Sequence, residues 1–99
     1  MAREFQLRIY KVKKGEMDEL IKEWRENVCP LRVKFGFKVA GAWKIDSESR
    51  FVWMLEWNGP GTFQEADRAY YSSPERAAMK PDPTRHLEKV ETHIMSSVD

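Results

Sequence analysis

Residues 17–35, MDELIKEWRENVCPLRVKF, decide the fold, because their apolar side chains recur at steps of three and four. That spacing predicts a helix with one continuous apolar stripe. The stripe consists of Met17, Leu20, Ile21, Trp24, Val28, Leu31 and Phe35. Pro30 has no N–H to donate to the carbonyl of Glu26, so we expect a kink or a tightened last turn. A helix this one-sided must cover a surface, and the rest of the chain supplies a sheet.

Four strands and a second helix are predicted around this helix. Alternating apolar residues indicate strands over residues 5–12, 38–45, 51–57 and 87–95. Thr62, followed three residues later by Glu65, has the pattern of a capping box and predicts the start of the second helix. The order β-α-β-β-α-β predicts a ferredoxin-like α+β sandwich, with antiparallel strand order 4-1-3-2 and both helices on one face. Residues 1–99 are expected to form a single domain.

The sheet face that the helices leave uncovered is expected to be too apolar to stay in water. An ordinary solvated face carries charged and hydroxyl side chains. The residues assigned to this face are instead Tyr10, Val12, Ala40, Ala42, Val52, Met54 and Met95. We expect a homodimer, sheet against sheet, because a two-fold interface needs only one self-complementary surface. The helix–sheet core is assigned the four tryptophans, Trp24, Trp43, Trp53 and Trp57.

Charge and cysteine content argue against several classes of protein. Seventeen basic residues are balanced by sixteen acidic ones, so we expect no nucleic-acid partner. The sequence has no run of about eighteen apolar residues, which predicts no membrane span, and no signal peptide is recognisable. The single cysteine, Cys29, excludes an internal disulfide and fits a reducing compartment, so we expect a cytoplasmic protein.

An ordered set of short sequence pieces resembles NIPSNAP domains. The pieces are Leu7-Arg8-Ile9-Tyr10, Lys14-Gly15, Trp24, Pro30-Leu31, Phe35-Gly36, Gly41-Ala42-Trp43, Leu55-Glu56-Trp57, Arg68 and Pro74-Glu75. The resemblance spans residues 5–95 and departs from the family at Lys14, where proline is usual. It implies the dimeric α+β-barrel superfamily, in which two ferredoxin-like sheets close face to face. That superfamily includes monooxygenases, haem-degrading enzymes, cyclases and isomerases, whereas NIPSNAP domains have no defined reaction.

Four polar side chains are expected to converge on the uncovered face, from three neighbouring strands. They are Arg8, Tyr10, Glu56 and His93. In an acid–base site His93 would take a proton, Tyr10 would hold an oxyanion, and Arg8 would anchor a carboxylate or enolate. The alternative is structural: Arg8 and Glu56 form an ion pair, while the other two side chains satisfy each other or water.

No cofactor and no metal are expected. Gly59-Pro60-Gly61 lacks the residues that complete a phosphate-binding loop, so it is interpreted as a turn. His86 and His93 have no third ligand in local register, and His86 is expected to be solvated. Cys29 is interpreted as a small buried hydrophobe, and Asp67 as part of a solvated helix face.

Three functions remain open from the sequence. The first is a protein that binds a small apolar or aromatic ligand in a barrel cavity between each sheet and the dimer partner. The second is a cofactor-independent monooxygenase, cyclase or isomerase that uses His93, Tyr10 and Arg8. The third is a non-catalytic dimerisation module whose barrel interior is only core.

Overall fold

The described residues, 3–98 of a computed structural model, form a four-stranded antiparallel sheet with helices on one side. Residues 1, 2 and 99 of the expected 1–99 domain lie outside the described residues. The strands are β1 (Glu4–Val12), β2 (Lys38–Ile45), β3 (Arg50–Trp57) and β4 (Leu87–Ser96). Their order is β2-β3-β1-β4, which is the predicted 4-1-3-2 read from the other edge, so the α+β ferredoxin-like topology is confirmed.

The helices lie in the two crossover connections of the sheet. They are α1 (Met17–Glu23), α2 (Cys29–Lys34), α3 (Phe63–Tyr71) and α4 (Pro74–Ala77), followed by a 3-10 turn at Pro83–His86. A second 3-10 turn, Asp46–Glu48, connects β2 to β3. The capping box predicted at the start of α3 is present: Thr62 Oγ1 accepts from the backbone N–H of Glu65, whose carboxylate accepts from the N–H of Thr62. Within residues 3–98, no helix combines the length and the apolar character needed to cross a membrane.

The organising helix contains a π-helical segment, Trp24–Val28, between α1 and α2. The N–H of Cys29 donates to the carbonyl five residues earlier, so the helix widens before Pro30 rather than tightening after it. The missing N–H of the proline removes one backbone hydrogen bond at this point. The wide turn also changes which side chains point inwards: Arg32 is 1% exposed, whereas Val33 is 59% exposed.

Strand β1 presents to the helices the side chains that were expected on the uncovered face. Arg8 is paired with Trp53 and Tyr10 with Phe51, and all four are buried. The alternate residues of β1, Phe5, Leu7 and Ile9, lie on the uncovered face. The predicted placement of Tyr10 and Val12 on the uncovered face was therefore wrong. A buried arginine is tolerated on the inner face because hydrogen-bond acceptors surround it there.

Strand β2 carries a bulge that shifts its alternation by one residue. Its pairing with β3 moves from Val39 directly to Gly41, leaving Ala40 as the extra residue. Ala42 consequently faces the helices, and Trp43 lies on the uncovered face, 53% exposed. The predictions for these two residues were wrong, whereas the other three tryptophans do pack in the helix–sheet core.

The uncovered face is apolar, as expected, although its membership differs from the prediction. Its apolar members are Phe5, Leu7, Ile9, Gly41, Trp43, Val52, Met54 and Met95, and the polar residues Lys38, Glu56, Glu91 and His93 lie on the same face. We call this set the uncovered face. Apolar side chains contributed by all four strands to one face of a sheet are typical of an interface rather than of a solvated sheet.

Candidate functional site

A pocket of about 190 Å³ lies between the sheet and the helices, on the opposite side of the sheet from the predicted site. Its lining includes aromatic rings and guanidinium groups from β1, β3, the π-helical segment, α2, α3 and α4. These are Arg8, Tyr10, Trp24, Arg32, Trp53, Tyr70, Tyr71 and Arg76. Among the described lining residues there is no carboxylate, histidine, lysine or cysteine. The pocket is therefore rich in hydrogen-bond donors and positive charge.

Arg8 brings a positive charge into the pocket without an acidic partner. It is 6% exposed. Its Nε donates to Tyr10 Oη at 2.9 Å, its Nη2 to Tyr71 Oη at 2.7 Å and its Nη1 to Gln6 Oε1. All three acceptors are neutral, and no carboxylate within residues 3–98 forms an ion pair with Arg8. A buried guanidinium in this state attracts an anion strongly.

Arg32 is the second buried cation of the pocket. Its Nη1 donates to Asp67 Oδ1 at 2.7 Å, and its guanidinium carbon lies 3.8 Å from the centre of the Tyr70 ring. Asp67 was expected on a solvated helix face, and that assignment was wrong. The π-helical segment explains the position of Arg32, because it rotates α2 so that this side chain points under the helices rather than into water.

Four buried side-chain polar atoms lack a hydrogen-bond partner among the described residues, and all four belong to residues that line the pocket. They are Trp24 Nε1, Arg32 Nε, Trp53 Nε1 and Tyr70 Oη. Burial raises the pKa of Tyr70, against the opposing effect of Arg32, so its hydroxyl keeps its proton. Each such group costs about 1–3 kcal/mol when nothing bonds to it. Their clustering points to an occupant of the pocket.

The four residues predicted to converge are divided between the two faces of the sheet. Arg8 and Tyr10 line the pocket, whereas Glu56 and His93 belong to strand positions on the uncovered side. Glu56 accepts from Arg3 at 3.3 Å, and His93 Nε2 lies 2.6 Å from a carboxylate oxygen of Glu91 on its own strand. The expected convergence was wrong, and so was the alternative Arg8–Glu56 ion pair.

Sequence reasoning missed the part of the site that the helices contribute. Trp24 was assigned to the core, which it joins, but it also lines the pocket, and its buried indole N–H has no partner among the described residues. Arg32, Tyr70 and Tyr71 were not among the predicted site residues. The available signal was Arg32 itself. This cation follows Leu31 of the apolar stripe and is the second residue after Pro30.

His86 lies in a separate polar cluster, and the prediction that it is solvated was wrong. It is 2% exposed, with Nδ1 2.7 Å from Glu16 and Nε2 3.2 Å from Glu23. Glu23 also accepts two hydrogen bonds from Arg85, at 2.6 and 2.8 Å. Glu19, Glu23 and His86 offer three potential metal ligands within 4.8 Å. The Arg85 guanidinium already pairs with both carboxylates, so the cluster fits an ion-pair network that ties α1 to the turn before β4.

Acid is expected to weaken the protein partly through Glu23. The hydrogen bond from Arg85 lowers the pKa of Glu23 below its ordinary value of 4.5, against the opposing effect of burial and with further help from His86. This contribution to stability is complete above the ordinary value and is lost as pH falls through the folded-state pKa. We therefore expect the free energy of unfolding, measured by urea denaturation between pH 7 and pH 3, to depend less steeply on pH for Glu23→Gln than for the exposed control Glu26→Gln. Identical slopes for the two variants would contradict the assignment.

Cys29 is half-buried and unreactive in character. Burial raises the pKa of its thiol to about 11, which keeps it protonated at neutral pH. It does not line the pocket. The side chain thus behaves as the small hydrophobe that the sequence indicated, and it adds no nucleophile to the candidate site.

Comparison with known proteins reveals similarity of fold. No protein-family model matches the chain, and no curated protein is similar to it in sequence. A NIPSNAP family protein from Agrobacterium tumefaciens superimposes with a TM-score of 0.83 at 21% identity, covering 98% of this chain and 87% of that one. An uncharacterized NIPSNAP domain protein from Burkholderia xenovorans gives 0.79 at 17% identity, with 93% and 91% covered.

A third structure with the same architecture carries a different description. A putative antibiotic biosynthesis monooxygenase from Nitrosomonas europaea gives a TM-score of 0.73 at 11% identity, covering 97% of this chain and 90% of that one. At these identities the similarity establishes the fold and not the activity. The chain therefore has the ferredoxin-like α+β fold of these NIPSNAP family proteins and of the putative antibiotic biosynthesis monooxygenase.

Proposed function

We propose that this chain is a homodimeric small-molecule-binding protein of the cytoplasm, with one ligand pocket in each protomer. The observation that carries the proposal is the pocket between the sheet and the helices, whose largely aromatic lining includes the residues that carry all four unpartnered buried polar atoms of the described residues. Binding sites typically combine a mainly apolar concave lining with a few convergent polar groups. One protomer encloses this pocket on the inner side of its sheet, so binding does not require the cavity expected between two sheets.

The uncovered face supports the dimer half of the proposal. Trp43 and Ile45 on β2 are 53% and 40% exposed, and they continue an apolar surface that runs across the sheet. A second copy of the chain is the occupant that matches this surface, because both partners then present the same apolar set. The dimer interface and the ligand pocket lie on opposite sides of the sheet, so each can be tested without removing the other.

A cofactor-independent enzyme is the second candidate function. The observation that favours it is the hydrogen bond of 2.9 Å from Arg8 Nε to Tyr10 Oη, a pairing suited to stabilising an oxyanion. His93 lies on the other side of the sheet, and the described lining offers no group that ordinarily titrates near neutral pH. Binding of an anion by Arg8 and Tyr10, rather than acid–base chemistry by His93, is therefore the role that these residues support.

Native mass spectrometry of the purified protein tests the proposed function. After incubation with the small-molecule fraction of a cell extract, we expect a dimer that carries additional non-covalent mass. Val28→Phe fills the pocket, since Val28 lines it, and should abolish the added mass. Val33→Phe makes the same change at a position that is 59% exposed and should retain it. If the unsubstituted protein and both variants are dimers without added mass, ligand binding is contradicted and a dimerisation module is favoured. A monomer would overturn the proposed assembly.

A further inference from the structure

We propose that the pocket binds a small planar anion, namely a single conjugated ring that carries one carboxylate or a comparable oxyanion. This inference rests on the proposed function and names the chemical class of its ligand. Three independent features of the pocket define that class: its charge, its unpartnered donors, and the size and shape of its walls.

The charge of the pocket favours an anion. Arg8, Arg32 and Arg76 line it, and the first two are 6% and 1% exposed. Arg32 and Arg76 each pair with one aspartate, but Arg8 pairs with none within residues 3–98. One net positive charge is thus left buried beside the cavity. A single negative charge on the ligand would balance it, and a cationic ligand would be repelled.

The unpartnered groups belong to residues that line the pocket, and they favour a ligand that supplies acceptor atoms. The indole N–H groups of Trp24 and Trp53 and the Nε–H of Arg32 can only donate, and the protonated hydroxyl of Tyr70 can also donate. An oxyanion supplies several lone pairs at one end of a molecule and forms stronger hydrogen bonds than a neutral acceptor does. No lining residue within the described chain offers a free carboxylate to serve the same purpose.

The walls of the pocket favour a flat ring for the rest of the ligand. Trp24 and Trp53 meet almost perpendicularly, at 82° with ring centres 5.4 Å apart, and leave aromatic surface towards the cavity. A cavity of about 150 Å³ accommodates benzene. At about 190 Å³ this pocket therefore has room for one ring and a small substituent. Inorganic phosphate would satisfy the arginines but would leave the aromatic walls uncovered.

Isothermal titration of the intact dimer with three matched probes tests the inference. Benzoate, benzamide and benzamidinium have nearly the same shape but carry a negative charge, no charge and a positive charge. We expect benzoate to bind about tenfold or more tightly than benzamide, and benzamidinium not to bind. If benzamide binds as well as benzoate and Val28→Phe abolishes both, the anion inference is wrong and the binding function stands. If none of the three binds, the anion inference falls, and the extract experiment alone then decides the binding function.

Two variants assign the recognition to named groups. Arg8→Gln should lose the preference for benzoate over benzamide, whereas the exposed control Arg25→Gln should keep it. Tyr70→Phe removes a hydroxyl that has no partner, so the unliganded protein should remain folded with an unchanged unfolding midpoint. Its affinity for benzoate should nevertheless fall about fivefold. Unchanged benzoate affinity in both variants would overturn the proposed site.

Discussion

Leu7→Asp is expected to convert the proposed dimer into a monomer. Leu7 lies near the middle of the uncovered face, on the central strand β1. Its neighbours on that face are Met54 of β3 and His93 of β4. In a two-fold interface the substitution buries one carboxylate from each copy beside His93, whose imidazole already lies 2.6 Å from Glu91, so neither copy supplies a free cation. Removing an unpaired carboxylate from water costs several kcal/mol, so we expect dimer affinity to fall about a thousandfold or more.

Light scattering coupled to gel filtration measures this change. The matched control is Gln64→Glu, which adds the same charge at an exposed position of α3, on the other side of the molecule, and should remain dimeric. A Leu7→Asp variant that stays dimeric would refute the assigned interface. Because the pocket lies on the inner side of the sheet, the monomeric variant should still bind benzoate, provided that it remains folded.

The order of the elements was predictable because it depends on strong local signals. The alternation of β3 and the stripe of the organising helix were recognised from regular periods, and the start of α3 from the local capping-box motif at Thr62. The topology follows from the order of these elements. All of these predictions agree with the structure. None of them depends on which side of a strand faces the helices.

The assignment of faces in β1 failed for a physical reason. Phe5, Leu7 and Ile9 are more apolar than Gln6 and Arg8, so hydrophobicity alone assigns them to the core. The structure places them on the uncovered face and buries the polar set, because aromatic hydroxyls of α3 and β1 accept hydrogen bonds from the arginine. Burial against a partner and burial against the helices leave the same pattern in a sequence.

The uncovered face and the candidate site were not predictable because each depends on a register shift. The bulge after Val39 reverses the alternation of β2, and the π-helical segment turns Arg32 inwards. Each shift inserts one residue into a regular period. Beyond the bulge the strand residues face the opposite side of the sheet, and beyond the π-helical segment the helix residues point in a rotated direction. Pro30 marks one of these shifts in the sequence. The closing of a pocket by residues from the sheet and from both crossover connections is a property of the packed structure.

Asp67→Asn is expected to lower the free energy of unfolding by about 2–3 kcal/mol, an unusually large effect for a residue on an outer helix. The substitution preserves shape but removes the counter-charge of Arg32, whose side chain is 1% exposed while that of Asp67 is 21% exposed. Urea denaturation measures the loss. The control is Glu75→Gln, which removes a carboxylate paired with exposed Lys34 at 3.5 Å and should change stability by less than about 0.5 kcal/mol. Equal effects of the two variants would contradict a buried charge at Arg32.

The same substitution tests whether Arg32 senses the charge of the proposed ligand. In Asp67→Asn the positive charge of Arg32 has no acidic partner within the described chain, so an anion in the pocket becomes its nearest counter-charge. A ligand that binds only the folded state stabilises it by mass action, and tighter binding gives a larger shift. Benzoate should therefore raise the unfolding midpoint of Asp67→Asn more than that of the unsubstituted protein, while benzamide should shift both equally. Equal shifts with benzoate would show that Arg32 does not sense the charge of the ligand.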